Sequence, residues 1–282
     1  MALSSFQHVV LFHHFRLLLE RAAKVGIDVA PLKGAHLVTA VYPPGEDRGM
    51  MADVDFLVRP GDWDVALELL RGLGFTRREG VDRLATSAEF HEAGFVLQVD
   101  PARSILFEPH RQFAQPARHS IDYEAVWDRS RPGEFDGAPC RRLAPEDHLL
   151  HGVVHLLSHR FRDPARGLRD LELLVRLAGT DLDLVVDRAR EWECATAAWL
   201  ALTLLHGIAP DLSADRAASR IAPRFWKRAV LRMLVPDAGG FRLEERGLRT
   251  DQAVLWPWLL DSAGQGIRFA RYYAGLRIRD LR

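Results

Sequence analysis

The chain has 282 residues, 48% of them hydrophobic, which is enough for one large or two small soluble domains. Its 38 basic and 38 acidic residues cancel, and this balance excludes the basic excess of a general nucleic-acid binder. The two cysteines are isolated, so no disulfide framework is expected and a cytoplasmic location is predicted. No apolar run is as long as the roughly 18 residues of a membrane span, and histidines interrupt the N-terminal segment, so neither a span nor a signal peptide is expected.

The first third of the chain alternates helical and strand patterns. Apolar residues recur at helical spacing in 3–25, and Gly26 suits the end of that helix. Further helices are predicted at 35–42 and 63–73. Strands are predicted at 27–32, 53–58, 75–78, 83–86 and 95–100. This order of elements predicts a small mixed sheet with flanking helices.

The rest of the sequence at first lacks a clear hydrophobic periodicity and then shows the periodicity of helices. Residues 101–142 are rich in Pro, Arg and His and suggest a connecting region with one short helix at 122–128. Helices are then predicted at 146–161, 168–177, 182–193, 195–206, 226–234, 252–260 and 266–276. The predicted fold class is therefore α+β, with an α/β domain over 1–142 and a helical domain over 143–282.

Two carboxylates stand on one face of the strand predicted at 53–58. Asp53 and Asp55 are at positions i and i+2 of an apolar, β-forming run. On a strand their Cα atoms would lie on the same face, roughly 7 Å apart. Two anions so placed repel each other beside an apolar core. Mg²⁺ carrying nucleotide phosphates would remove that cost, because it binds one or two carboxylates together with phosphate oxygens.

The same segment resembles a known family. The matching residues are Leu32-Lys33-Gly34, Tyr42, Arg48, Asp53-x-Asp55 and Leu57-Val58. They are similar to the pattern of the uncharacterised nucleotidyltransferase family within the DNA polymerase β-like nucleotidyltransferase superfamily. A second, later cluster is similar to the family's His-rich helix and the Arg and Asp that follow it: His148, His151, His155, His159-Arg160-Phe161 and Leu168-Arg169-Asp170. The likeness spans roughly residues 5–175.

The resemblance implies a nucleotidyltransferase that moves a nucleoside monophosphate from an NTP to an acceptor and releases pyrophosphate. It implies that Asp53 and Asp55 bind Mg²⁺ or Mn²⁺, and that Lys33, Gly34 and Arg48 hold the phosphates. Gly34 would let the backbone approach a phosphate, and the helix after it would direct free N–H groups at the anion. A small molecule, a peptide, a protein or a tRNA all stay open as the acceptor.

The third acid is the point of departure from the family. Members carry an acid two residues before a His at the end of a later strand. The stretch Leu97-Gln98-Val99-Asp100 is interpreted as that strand, with Gln98 at the acid position. Asp100 is then the predicted third catalytic and metal-binding carboxylate. If Asp100 does not serve, the chain is a catalytically silent nucleotide-binding accessory protein, which is the alternative function.

The later histidines form one stripe. His148, His151, His155 and His159 fall within about 80° of one another on a helix. By resemblance, His155, His159, Arg160 and Asp170 are predicted to contact the nucleotide or the acceptor. Two other interpretations stay open: ordinary histidines between two domains, or a metal-dependent hydrolase centred on His151, His155 and His159.

Overall fold

The computed structural model describes residues 3–78, 92–101, 103–114, 117–158, 163–235 and 257–280. It divides the chain into two compact units. The first consists of Met1–Gln115 and Tyr123–Ala144, and the second of Pro116–Asp122 and Pro145–Arg282. The domain boundary predicted after residue 142 stays a prediction. The strand predicted at 83–86 lies outside the described residues.

The first unit has the predicted α+β architecture, with a small mixed sheet and flanking helices. Its helices are α1 (Leu3–Val25), α2 (Lys33–Ala40), α3 (Trp63–Gly72) and α4 (Tyr123–Arg129). Its strands are β1 (Val29–Pro31), β2 (Asp53–Val58), β3 (Thr76–Arg77), β4 (Phe95–Asp100), β5 (Arg103–His110), β6 (Arg131–Phe135) and β7 (Ala138–Arg142).

The five-stranded sheet has the order β1-β2-β5-β4-β3. Strands β2 and β5 are parallel, and the other neighbouring pairs are antiparallel. The register places Asp55 opposite Glu108 and Leu57 opposite His110. Since side chains alternate along a strand, Asp53, Asp55 and Glu108 share one face of the sheet.

The opposite face of the sheet forms the core of the first unit. Val54, Phe56 and Phe107 are fully buried there. Phe15 of α1 packs on them, with its ring centroid 5.6 Å from that of Phe56 and 5.9 Å from that of Phe107. Each such side chain contributes about 1.5–3 kcal/mol by leaving water. This core holds β2 and β5 side by side, and it thereby positions the polar side chains on the other face of the sheet.

Three strands fall within 101–142, where a connecting region was expected. Strands β6 and β7 pair as a separate hairpin. Its turn is Asp136-Gly137, and both residues have positive φ, at 49° and 76°. That is the geometry Asp-Gly favours in a two-residue hairpin. Pro132 and Pro139 hide the strand pattern, but a two-stranded ribbon has free edges that tolerate proline.

The second unit is helical in the described residues. Its helices are α5 (Pro145–Ser158), α6 (Pro164–Leu177), α7 (Leu182–Glu191), α8 (Ala195–Ile208), α9 (Ala214–Arg220), α10 (Phe225–Leu234) and α11 (Ala263–Asp280). Asp163 and Asp181 cap α6 and α7 by accepting from backbone N–H groups of the first turn. In the part of the chain that the structure describes, no helix has both the length and the apolar character to cross a membrane.

Candidate active site

Lys33 reaches Asp55 because of how β1 ends. The N–H of Leu32 donates to the carbonyl of Asp55 at 2.9 Å, so the end of β1 lies directly beside that residue. Lys33 then adopts φ +43°, a left-handed conformation that is uncommon for a residue other than glycine. The turn starts α2 and brings the Lys33 Nζ within 2.6 Å of Asp55 Oδ1.

Glu108 and His110 complete a cluster around Asp55. The Nε2 of His110 lies 2.9 Å from Asp55 Oδ1, the oxygen that Lys33 also contacts. One ligand atom each from Asp55, Glu108 and His110 lie within 4.8 Å of one another. Within the described ranges this is the group of acids and histidines that could hold a metal ion. The carboxylates suit Mg²⁺ or Mn²⁺, whereas an imidazole ligand would favour a softer ion.

Burial and charge shift the acids of this cluster in opposite directions. Burial alone would raise the pKa of Asp55, but Lys33 and His110 outweigh it and hold that pKa well below its usual range. Burial, and then the carboxylates of Asp55 and Glu92, raise the pKa of Glu108 to about 8. Burial alone would lower the pKa of Lys33, yet the Asp55 carboxylate raises it above its ordinary value. Near neutral pH the Asp55 carboxyl is therefore ionised, whereas the Glu108 carboxyl is mainly protonated.

Asp53 lies on the same face as Asp55, at the start of β2. Its pKa is raised by burial and then by the charge of Asp55, while Lys33, His110 and Arg48 oppose the shift. Asp53 is electrostatically coupled to the cluster but does not belong to the group of close ligand atoms formed by Asp55, Glu108 and His110.

Gly34 and Arg48, both predicted to hold phosphates, lie close together. A Cβ on Gly34 would lie 2.7 Å from Met51 Sδ and 2.9 Å from Arg48 Nη1. A side chain at residue 34 would therefore displace the ends of the Met51 and Arg48 side chains. Arg48 also lowers the pKa of Asp53, which places its charge near the acids. The turn at Lys33-Gly34, the Arg48 guanidinium and the acidic face thus lie around one another.

The structure does not bring Asp100 to Asp55. Asp100 pairs with Arg103 across the turn between β4 and β5, with Arg103 Nε 2.6 Å from its Oδ2. Arg103 precedes Glu108 by five residues, or roughly 16 Å along a strand. The third carboxylate beside Asp55 is Glu108, and the interpretation of 97–100 as the acid-x-His strand is not supported by this arrangement.

Sequence reasoning missed two residues of the cluster: Glu108 and His110. Phe107-Glu108-Pro109-His110 has an acid two residues before a His, which is the family pattern that the resemblance predicts at 97–100. Pro109 obscured the strand. Glu92 forms an isolated antiparallel bridge with His110, and its Oε2 lies 3.5 Å from His110 Nδ1. The His110 ring therefore lies between two carboxylates, and this orients it.

The residues predicted from the His-rich helix lie in the second unit. His151 is buried and His155 half-buried in α5, with ring centroids 6.4 Å apart. Asp170 is buried in α6, which packs on α5. His159 and Arg160 lie outside the described residues. The binding roles of His155, His159, Arg160 and Asp170 stay predictions.

Two solved structures and one family model are similar to this chain. The chain has 17% identity to an antigenic nucleotidyltransferase-like protein from Paracoccidioides brasiliensis, with a TM-score of 0.48 over 77% of this chain and 94% of that one. It has 13% identity to the antibiotic-resistance factor ANT(2'')-Ia, with a TM-score of 0.42 over 64% of this chain and 93% of that one. No curated protein matches it. The model of a family described as uncharacterised nucleotidyltransferase matches residues 3–210, and the chain belongs to that family.

Proposed function

We propose that this protein transfers a nucleoside monophosphate from an NTP to an acceptor hydroxyl. The acceptor oxygen bonds to the α-phosphorus, the bond from that phosphorus to pyrophosphate breaks, and the hydroxyl proton passes to a base. The observation that carries the proposal is the pairing of Asp55 with Glu108 across parallel strands, beside the Lys33-Gly34 turn. Two acids next to a phosphate-binding turn suit phosphoryl chemistry, in which positioning and charge stabilisation supply most of the catalysis.

Each residue has a proposed role. Asp53 and Asp55 bind Mg²⁺ or Mn²⁺, and Glu108 replaces Asp100 as the third carboxylate. The ion would neutralise charge on the phosphates and the departing pyrophosphate. Lys33 and Arg48 bind phosphate oxygens as a point charge and a planar fork respectively. His110 holds the Asp55 carboxylate in position through the 2.9 Å contact.

Glu108 is the proposed general base. In the metal-free protein burial and neighbouring carboxylates raise the pKa of Glu108 to about 8, so that it is mainly protonated near neutral pH. A cation bound beside Asp55 would lower this pKa and leave Glu108 ionised to accept the hydroxyl proton. The acid is held close to the paired Asp55, where an acceptor hydroxyl would meet the α-phosphate. Contacts to the nucleotide or acceptor from His155, His159, Arg160 and Asp170 are part of the proposal and rest on the family resemblance.

The test measures binding before turnover, because the acceptor is unidentified. Isothermal calorimetry of the four NTPs, with and without Mg²⁺ or Mn²⁺, should show metal-dependent binding. This binding should be lost in Asp55→Asn and in Glu108→Gln. Asp100→Asn is the matched control, because it removes an acid of the same sheet that faces the β4–β5 turn, and it should bind as the wild type. Full metal-dependent binding by Asp55→Asn would refute the site.

Turnover then separates the proposal from a silent accessory protein. Pyrophosphate release is followed with a panel of alcohols, antibiotics, peptides and tRNA. Metal-dependent binding without release over that panel favours the accessory role. Glu108 weighs against that alternative, since Gln98 was its sequence support and an acid stands next to Asp55 instead.

The histidine-centred hydrolase has a separate test. In the described part of the chain, the group able to hold a metal does not include His151 or His155. Stoichiometric zinc or iron in the purified protein, lost on His151→Ala but kept in Asp55→Asn, would favour the hydrolase.

A further inference from the structure

His8 of α1 holds the segment that carries Arg48. The backbone N–H of Met51 donates to the Nε2 of His8 at 3.0 Å. A backbone N–H can only donate, so Nε2 must be the acceptor. The imidazole is therefore neutral and carries its proton on Nδ1. Protonation at Nε2 would remove the acceptor and break the contact.

The segment between α2 and β2 brings Arg48 to the Lys33-Gly34 turn. It lacks regular structure over 44–52. Asp47 Oδ1 accepts from the N–H of Gly49 at 2.8 Å, and Gly49 has φ +90°, so this is a local turn. The Met51 side chain and the Arg48 guanidinium both lie against Gly34. The contact from His8 to the Met51 backbone thus joins α1 to the segment at the place where it meets the Lys33-Gly34 turn.

We propose that His8 is a positioning residue for nucleotide binding: its neutral imidazole holds segment 47–52 so that Arg48 stands at Gly34, and its protonation releases the segment and weakens the grip on the triphosphate. This inference rests on the proposed function, because it assigns a partner to the phosphate-binding Arg48. It adds a residue outside the acidic cluster and a dependence on pH.

The surroundings of His8 favour the neutral form. The ring is half-buried and stacks on Phe12, with centroids 5.9 Å apart and an interplanar angle of 11°. The charged groups that act on it from the segment are Asp47 and Arg48. Burial lowers the pKa of His8, Asp47 opposes this, and Arg48 lowers it further, so that the net pKa is below its ordinary value of 6.5. The contact is thus formed at neutral pH and is lost as the pH falls through that lowered pKa.

Two substitutions separate hydrogen bonding from titration. The side-chain oxygen of His8→Gln can accept from the same N–H but does not titrate, and His8→Ala offers no acceptor. At pH 7.5 we expect His8→Gln to bind NTP like the wild type and His8→Ala to bind about fivefold more weakly, as for the loss of one neutral hydrogen bond. Between pH 7.5 and 5 the NTP affinity of the wild type should fall about fivefold relative to that of His8→Gln. Comparing the two proteins at each pH removes the effect of phosphate titration, because both share it. His13→Gln, at an exposed histidine of the same helix, is the matched control and should keep the wild-type pH dependence.

Three readouts exclude a general structural effect. In an Arg48→Ala background, His8→Ala should cost little further affinity, because the two act through one contact. Without nucleotide, the ¹⁵N shifts of His8 should report an unprotonated Nε2 at pH 7.5. Hydrogen exchange of the Met51 amide, corrected for its intrinsic pH dependence, should lose protection on acidification in the wild type but not in His8→Gln.

The outcomes distinguish this inference from the proposed function. Equal pH dependence of binding in the wild type and His8→Gln, or additive losses with Arg48→Ala, would overturn the role of His8 and leave the nucleotide site standing. Absence of NTP binding in every variant would refute the proposed function and this role together. An intact His8–Met51 hydrogen bond in the NMR data would then show that the fold was not at fault.

Discussion

Replacing Glu108 by Gln should stabilise the metal-free protein while removing its response to metal. Burial first, and then the like charges of Asp55 and Glu92, raise the pKa of Glu108 from 4.5 to about 8. In that pH range the folded state binds more protons than the unfolded state, so the free energy of unfolding falls as the pH rises. At about 1.4 kcal/mol per pH unit, the full difference is about 5 kcal/mol above pH 8. Solvent contact and relaxation reduce this, and we expect Gln to gain about 2 kcal/mol near neutral pH.

The assay is thermal and urea unfolding from pH 4 to 9, with and without Mn²⁺ or Mg²⁺. Without metal, the stability difference between Glu108→Gln and the wild type should be near zero below pH 4.5 and widen towards pH 8. A metal at 100 times its Kd stabilises the native state by about 2.7 kcal/mol, and this gain should appear in the wild type only. Asp100→Asn is the control and should change neither quantity by more than about 0.5 kcal/mol. A metal-free Glu108→Gln protein that is less stable than the wild type at pH 7.5 would refute the like-charge reasoning.

Two further substitutions probe positions around and away from the cluster. Gly34→Ala should weaken NTP binding about tenfold in calorimetry, because its Cβ displaces Met51 and Arg48. An unchanged affinity with an unchanged circular dichroism spectrum would show that close approach at Gly34 is unimportant. In the second unit, Arg188→Met should lower the free energy of unfolding by about 3 kcal/mol in urea titrations, because Glu146 and Asp147 are buried around Arg188 at 2.9 and 3.1 Å. Its residual NTP affinity should equal that of the wild type, and a selective loss of binding would contradict this purely structural role.

The residues that the sequence identifies in this site share a local signal. Lys33-Gly34 follows a strand directly, and Asp53 and Asp55 alternate with apolar residues, so the period of a strand alone places both acids on one face. The same local signal, a glycine directly after a strand, predicts the turn after β1 and a position where other groups can approach closely. Boundaries moved by a few residues, and α2 begins at Lys33 instead of residue 35.

The residues that sequence reasoning missed depend on pairing between distant segments. Glu108 lies beside Asp55 only because β5 runs parallel to β2 in one particular register, and a shift by one residue would turn Glu108 to the other face. No local pattern encodes that register, and Pro109 weakens the strand signal. Gln98 and Asp100 stand at the two positions of the acid-x-His pattern without matching either residue type, and the turn after β4 carries Asp100 away from the cluster.

We predict that Lys33 links metal and nucleotide binding, because its ammonium occupies the position that a metal cation would otherwise fill beside Asp55. The contact of 2.6 Å joins its ammonium to a carboxylate that is 4% exposed. A metal ion at Asp55 would supply the neutralising charge, after which Lys33 is available for a phosphate oxygen. Lys33→Met should therefore bind Mn²⁺ more tightly than the wild type but bind NTP more weakly, and the two ligands should lose their mutual enhancement. Titrating Mn²⁺ by electron paramagnetic resonance, with and without NTP, measures both affinities. Weaker Mn²⁺ binding by Lys33→Met would mean that Lys33 assists the metal, and the exchange between the two cations would be refuted.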